Sequence, residues 1–241
     1  MALPKFLRKA RFAFAYPLVA WLLLTARPTD ASMRWAALII LLGEALRLWA
    51  NGYVGHVKVG RDVAPDRTVI PKGKLITGGP YAFVRHPLYL GTMLLGLGFC
   101  VAVNNLWVAA ASLVFFLTIY RSKMSEEEQR IREAYPQYTA YERAVPRWIP
   151  RFRRYANRTG QWQWKGIAAS KEWKTLIWVT VLFILLYFHE EIIEQHEWLA
   201  RGHQARQLAL LTVAVVLALG DVGFELARWR AKRLSVEEGS P

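Results

Sequence analysis

Apolar residues gather along the chain in six runs, near 12–26, 36–54, 87–103, 106–120, 174–188 and 207–224. Several are shorter than the about 20 residues that cross a bilayer upright, so they must recruit flanking Trp, Tyr and Arg or pair as hairpins. Asn104-Asn105 is the turn of one such hairpin, between the third and fourth runs. Trp21, Trp35, Trp49, Trp107, Trp173, Trp178, Trp198 and Trp229 lie near the run ends, as an aromatic belt requires, with Trp178 set somewhat inside its run. The pattern predicts an all-α, polytopic transmembrane bundle of about six membrane segments. The first run follows Lys5, Arg8, Lys9 and Arg11 as a secretory signal would, but no clean small-x-small site follows and more runs come later. It reads as a span.

Charge orients these segments. A content of 54% apolar residues beside a formal charge of +14 is unusual for a soluble globule and ordinary where apolar spans alternate with basic loops. Of 32 Lys and Arg, 27 lie in 1–11, 51–86, 121–174 and 228–233, and four in 27–34, 104–105 and 189–206. The positive-inside rule then puts both termini and the two large connectors in the cytoplasm, and the Arg/Ala/Leu-rich composition points to a bacterial inner membrane. Nucleic-acid binding explains the charge less well, because the basic residues alternate with hydrocarbon-length segments instead of lining one face. Cys100, alone and inside an apolar run, excludes an intramolecular disulfide and reads as a small core residue.

Polar residues inside or beside the runs change the picture further. Glu44 and Arg47 are too costly to face lipid; they pair three apart on one helical face, or they contact a cofactor or substrate. The connector 55–80 holds Gly55, Gly60, Gly73, Gly78, Gly79, Pro65, Pro71 and Pro80, which forbid a long helix and predict a loop over the cytoplasmic mouth. Ser125-Glu126-Glu127-Glu128 reads as an N-cap with acidic first-turn residues, opening a helix that runs to about Tyr135 and stops at Pro136. Tyr138, Tyr141, Val145-Pro146-Arg147-Trp148-Ile149-Pro150, Arg151, Arg153 and Arg154 suit an interfacial segment on anionic headgroups. Residues 159–241 read as a C-terminal transmembrane hairpin appended to a core of 1–158. His189 and His196, seven apart among carboxylates, could take a divalent cation, but an acidic amphipathic extracytoplasmic helix explains them and no metal is expected. Asp221 and Glu225 read as interfacial, or paired with Arg228.

The chain has no P-loop, no Gly-x-Ser-x-Gly and no His-Glu-x-x-His. Gly91, Gly96 and Gly98 sit in an apolar helix, without the strand-turn-helix context of a dinucleotide site, and let another helix or a flat ligand approach the backbone. What remains is Gly78-Gly79-Pro80-Tyr81 before Arg85-His86-Pro87-x-Tyr89. Pro87 suits the first turn of a helix whose mouth carries Arg85 and His86. That arrangement could bind a carboxylate or phosphate, or it could anchor the segment by reaching to headgroups.

Three separated blocks resemble one superfamily. Gly43-Glu44-Ala45-Leu46-Arg47-x-Trp49-Ala50, then Thr77 to Gly91, then Glu127-Glu128 with Tyr138-x-x-Tyr141 and Val145-Pro146-Arg147-x-Ile149-Pro150, closely resemble the isoprenylcysteine carboxyl methyltransferases and phospholipid methyltransferases. The resemblance covers about residues 36–150. It implies an integral membrane enzyme that binds S-adenosylmethionine in a cytoplasmic-side pocket, without a Rossmann domain, and admits a lipophilic substrate from the bilayer. Gly79, Pro80, Tyr81, Val84, Arg85, His86, Pro87, Tyr89 and Leu90 match the family's cofactor-binding segment, and Glu127-Glu128 its acidic pair. Arg47 matches a polar intramembrane position. The chain departs from the family at Tyr135-Pro136-Gln137-Tyr138, one residue short, which leaves Glu126 a candidate beside the pair; the stretch beyond about 158 has no counterpart in the core.

Methyl transfer asks mainly for in-line alignment and exclusion of water. Arg85 and His86 are placed to hold the donor's carboxylate and Glu127 or Glu128 its amine or ribose hydroxyls. The candidate catalytic residues are Arg47, to orient an acceptor carboxylate or phosphate, and Glu44 or Glu128, as base for an amine acceptor. The acceptor is an isoprenylcysteine-type carboxylate or a phospholipid or other lipid headgroup. Two alternatives stand beside this: an NADPH-dependent membrane reductase of the sterol-reductase type, whose larger membrane domain does not fit in 241 residues, and a non-enzymatic membrane module.

Overall fold

The computed structural model describes residues 25–54, 60–63, 69–170, 172–189 and 204–237. Its described helices are α1 (Asp30–Val54), α2 (Pro87–Val103), α3 (Leu106–Ala134), α4 (Tyr138–Ala144), α5 (Trp164–Ser170), α6 (Glu172–His189) and α7 (Gln204–Glu237). A 3-10 turn, Gly79–Ala82, precedes α2. The connector after α1 carries a two-stranded antiparallel ribbon, β1 (Gly60–Val63) against β2 (Val69–Lys72), with Gly60 opposite Lys72 and Val63 opposite Val69. This ribbon is the one element an all-α reading leaves out; the glycines and prolines that forbid a helix there permit a strand pair.

Among the described residues three helices are long and apolar enough to cross a membrane: Asp30–Val54, Leu106–Ala134 and the Gln204–Phe224 part of α7. Pro87–Val103 is apolar but shorter. The first predicted run lies almost wholly outside the described residues, and the fifth falls on α6. Three candidate spans stand among the residues described, which accords with an integral membrane protein; six segments are not confirmed.

Two compact units divide the chain, residues up to Glu172 and residues from Trp173 on. In the first, α1 opens with a reciprocal capping box: the Thr29 hydroxyl accepts from the Ser32 amide at 3.2 Å and the Ser32 hydroxyl from the Thr29 amide at 2.9 Å. Small residues then let α1 and α2 touch backbone to backbone. A Cβ on Gly43 would lie 2.9 Å from the Gly91 carbonyl oxygen, and one on Gly91 would lie 2.5 Å from Cγ of Arg47. Ala36, Ala50 and Ala102 are fully buried. The predicted role of these glycines in close helix approach holds: Gly91 and Gly98 face α1, and Gly96 takes the Phe116 ring of the helix Leu106–Ala134.

Asn104 and Asn105 make the expected turn. Asn104 takes the left-handed conformation at the end of α2 (φ 51°), and the Asn105 side chain caps α3 by accepting from the amides of Trp107 and Val108. α3 corrects the reading of Ser125–Glu128 as a helix start. No glycine or proline interrupts 106–134, so the apolar run and the charged stretch are one helix of 29 residues, about 43 Å long at 1.5 Å per residue. Its first half shows Leu106, Trp107, Leu113, Val114 and Leu117 on the outside, as a lipid-facing helix does, while its second half is charged.

Past α3, Tyr135, Tyr138, Tyr141 and Val145 form a buried cluster lined by Leu75, Ile131 and Tyr155. Residues 145–163 then run back as an extended strap. The amides of Arg151 and Tyr155 donate to the carbonyls of Phe83 (3.1 Å) and Ala82 (3.0 Å), that of Gly78 donates to Thr159 (2.9 Å), and that of Gln163 to Gly52 (2.8 Å).

In the second unit, Val181, Ile184 and Phe188 of α6 pack on Ala214 of α7. Asp221 is buried between α6 and α7: the Lys174 ammonium lies 2.9 Å from Oδ1 and the Trp178 indole donates to Oδ2 at 3.1 Å. That contact accounts for a Trp set inside its run. The stretch 190–203, with His196, lies outside the described residues.

Candidate functional site

Glu128 is the centre of the site. Three turns of charged helix beyond the lipid-facing half of α3 carry it, 1% exposed, against the mouth of α2. His86, the residue just before Pro87, puts Nε2 2.9 Å from Oε1 of Glu128, and Arg85 puts a terminal nitrogen 3.0 Å from the same oxygen. Arg147, from the strap, donates Nε to Oε1 at 3.0 Å and a terminal nitrogen to Oε2. A buried carboxylate is stable only when its charge is met, and here one anion is met from three directions.

The backbone holds these groups in register. Pro87 begins α2 with a fixed φ, which sets His86 at its N-cap position, and the Arg85 amide donates to the Pro146 carbonyl at 2.9 Å. Gly79 adopts a left-handed φ of 59°, and a Cβ there would meet the Tyr53 ring at 2.3 Å, so only glycine serves. Tyr141 donates to the Tyr81 carbonyl at 2.7 Å, tying α4 to the turn. Glu142 draws Arg85 from the other side at 2.9 Å and also holds Arg132. Burial pushes the Tyr138 hydroxyl up to about 12, and the nearby Glu128 charge adds to the shift.

The remaining predicted residues fall in two places. Pro80, Val84 and Pro87 are buried, with Gly79, Tyr81, Tyr89 and Leu90 half-buried around them. Tyr89 donates to Oε2 of Glu127 at 3.0 Å, and its ring lies 5.5 Å from His86 and 5.2 Å from Tyr120. Of the three acidic residues, Glu126 is exposed, Glu127 half-buried and Glu128 buried.

Arg47 and Glu44 lie apart from this cluster, in the helix interior. They do not pair with each other as one reading of the sequence has it. Arg47 binds Glu172 in a fork, Nε to Oε2 at 3.0 Å and a terminal nitrogen to Oε1 at 2.7 Å, and donates its other terminal nitrogen to the Thr92 hydroxyl. Both oxygens of Glu44 are buried and, among the described residues, without a hydrogen-bond donor.

Arg147 and Glu172 are the residues sequence reasoning misses. Arg147 stands inside a quoted motif with no role attached, and its signal is that Val145, Pro146 and Pro150 flank a basic residue in an extended segment. Glu172 carries no signal, since 125 positions separate it from Arg47.

The donor set suits a small zwitterion with hydroxyls. Arg85 has a buried Nε that no acceptor among the described residues reaches, and Glu127 has one oxygen beyond the one that accepts from Tyr89.

Residues 32–138 match the model of the phospholipid methyltransferase family. The resemblance carried by the motifs is thereby shown for the core. The matched segment runs from the first turn of α1 through the glycine-rich turn, α2 and α3, and ends as α4 begins. Over 119 residues the chain is 33% identical to a cobalt-zinc-cadmium resistance protein of Cupriavidus metallidurans, covering 48% of this chain and 49% of the relative. Over 118 residues it is 28% identical to protein-S-isoprenylcysteine O-methyltransferase B of Arabidopsis thaliana, covering 46% and 56%. A nickel-cobalt-cadmium resistance protein of Alcaligenes xylosoxydans xylosoxydans is 28% identical over 78 residues, covering 32% and 37%. The chain thus spans about half, or less, of these curated relatives. No solved structure matches it.

Proposed function

We propose that this chain is an integral membrane methyltransferase that moves a methyl group from S-adenosylmethionine to a lipophilic acceptor entering from the bilayer. One observation carries the reading: Glu128 draws Arg85, His86 and Arg147 together, so the separated motif blocks converge on a single charged centre. Bound there, S-adenosylmethionine supplies a methyl already activated on a sulfonium, so no side chain of the protein need act as nucleophile.

The residues have distinct parts. Arg85 Nε and His86 face the donor's carboxylate, and Glu127 accepts from its amine or ribose hydroxyls. Glu128 carries no share of the chemistry as a base, because both of its oxygens already accept from cations; it holds Arg85 and His86 in place. Tyr89, Tyr81 and Tyr120 supply apolar ring faces that exclude water. From this pocket the aromatic pair Tyr89–Tyr120 leads toward Arg47 and Glu44, where the acceptor's headgroup is oriented. The count of basic residues supports a cytoplasmic-side pocket, with both termini on that side of a bacterial inner membrane.

Titrating detergent-purified protein with S-adenosylmethionine and with NADPH tests the reading. Saturable binding of the first alone supports it, binding of NADPH supports the reductase alternative, and binding of neither leaves a non-enzymatic membrane module.

A further inference from the structure

Each of the three nitrogens of the Arg47 guanidinium already donates to a protein group. Nε and one terminal nitrogen hold Glu172, and the other terminal nitrogen holds Thr92, whose hydroxyl donates onward to the Leu88 carbonyl at 2.9 Å. One turn before Arg47 on the same face of α1 stands Glu44, 4% exposed, with neither carboxylate oxygen reached by a donor among the described residues. Its charged neighbours are Arg47 and Glu172. Further along α1, Asn51 spends its amide on the Arg47 carbonyl at 3.0 Å, and from α3 Tyr120 lies within electrostatic reach of Arg47.

Among the described residues, two carboxylates and one guanidinium meet in this interior, an excess of acidic groups over basic ones. A buried carboxylate stripped of water is unstable without donors, and these neighbours offer it none. A ligand with a carboxylate would meet Glu44 as a like charge and find Arg47 already occupied. A ligand with an ammonium brings both the opposite charge and the missing donors.

We propose that Glu172 sets the specificity of this interior site: by closing off Arg47 it leaves Glu44 as the group presented to the acceptor, and so selects an amphiphile with an ammonium headgroup over one with a carboxylate. Removing the Glu172 charge frees Arg47 and reverses the choice. The identity of this molecule as the methyl acceptor rests on the methyltransferase reading; its selection by charge does not. Glu172 acts through Arg47 and is a positioning residue.

The test is thermal unfolding of the full chain in maltoside micelles, without any methyl donor, titrated with dodecylamine or dodecanoate. Wild type is expected to be stabilised by dodecylamine at about tenfold lower concentration than by dodecanoate, the ordinary size of one charge-assisted contact. Glu172→Gln is expected to invert that order, Glu172→Asp to retain it, and Glu44→Gln to lose the amine response. Retention of the amine preference in Glu172→Gln, or an equal response of wild type to both amphiphiles, overturns the proposal. Where Glu172→Gln does not survive extraction, Glu44→Gln decides alone, since an undiminished amine response there overturns it as well. A protein that fails to bind S-adenosylmethionine but still switches preference refutes the methyltransferase reading and leaves the site intact.

Discussion

Arg147 and Glu128 meet as a two-point pair: Nε lies 3.0 Å from Oε1, and a terminal nitrogen bonds Oε2. Nineteen positions apart, they join the strap to the charged half of α3 and complete the ring of cations that Arg85 and His86 begin. Removing Arg147 leaves the buried Glu128 with Arg85 and His86 alone, and its Oε2 without a partner among them. Arg147→Ala is expected to destabilise the protein by about 3 kcal/mol, and Arg147→Lys by less, since lysine keeps the charge and loses the fork. Thermal unfolding in detergent reads the difference; equal stability of wild type and Arg147→Ala would sink the structural role.

The acidic pair separates by burial into a holder and a binder. Glu127→Gln is expected to weaken S-adenosylmethionine binding about tenfold, the worth of one charged hydrogen bond, with the unfolding temperature unchanged. Glu128→Gln is expected to lower stability and binding together. Calorimetric titration beside thermal unfolding separates the two patterns.

Arg85→Ala or His86→Ala is expected to abolish methyl transfer in membranes while the protein still accumulates to normal levels. Both variants leave Glu128 with two of its three cationic or donor partners. Full activity in both would remove these residues from the site.

Two glycine substitutions bracket the helix crossing. Gly43→Val forces a side chain into the Gly91 carbonyl and is expected to cost about 1–3 kcal/mol, as overpacked cores do. Gly220→Ala in α7 meets nothing within 4 Å and is expected to stabilise by up to about 1 kcal/mol through helix propensity. The pair is read by thermal unfolding.

Alkaline pH should unfold the first unit through its tyrosines. Tyr138 is pushed up to about 12 and the Tyr141 and Tyr81 hydroxyls are pushed up as well, chiefly by burial. A raised folded-state value means the stabilisation is complete below the unfolded value of about 10 and is lost as pH climbs toward the folded one. Stability should therefore fall between about pH 10 and 12. Tyr138→Phe should flatten part of that fall.

The sequence carries local chemistry well and long-range pairing poorly. Asn104-Asn105 was legible as a turn because one asparagine tolerates the left-handed region and the next can cap a helix. Gly79 and Pro87 were legible for similar reasons, since each fixes a backbone conformation by its own covalent structure. Glu126–Glu128 misled because acidic residues favour a first turn, yet the continuous apolar helix before them overrides that local preference. Glu44 and Arg47 are too polar for the lipid face, and both lie in the helix interior. Their partners were not legible, because charge at three-residue spacing permits a pair but cannot compete with a fork offered by Glu172. The two-strand ribbon was missed for want of a pattern, its strands being four residues each.

The strap also dictates when the pocket comes into being. Gly78, Ala82, Phe83 and Arg85 find their backbone partners among residues 146–159, and Gly52 finds its partner in Gln163. A nascent chain halted at Tyr138 already holds α1, α2 and α3 but none of those partners. The glycine-rich loop therefore stays without these partners until residues 146–163 have been added, and its backbone is fixed only after α1, α2 and α3 are already made.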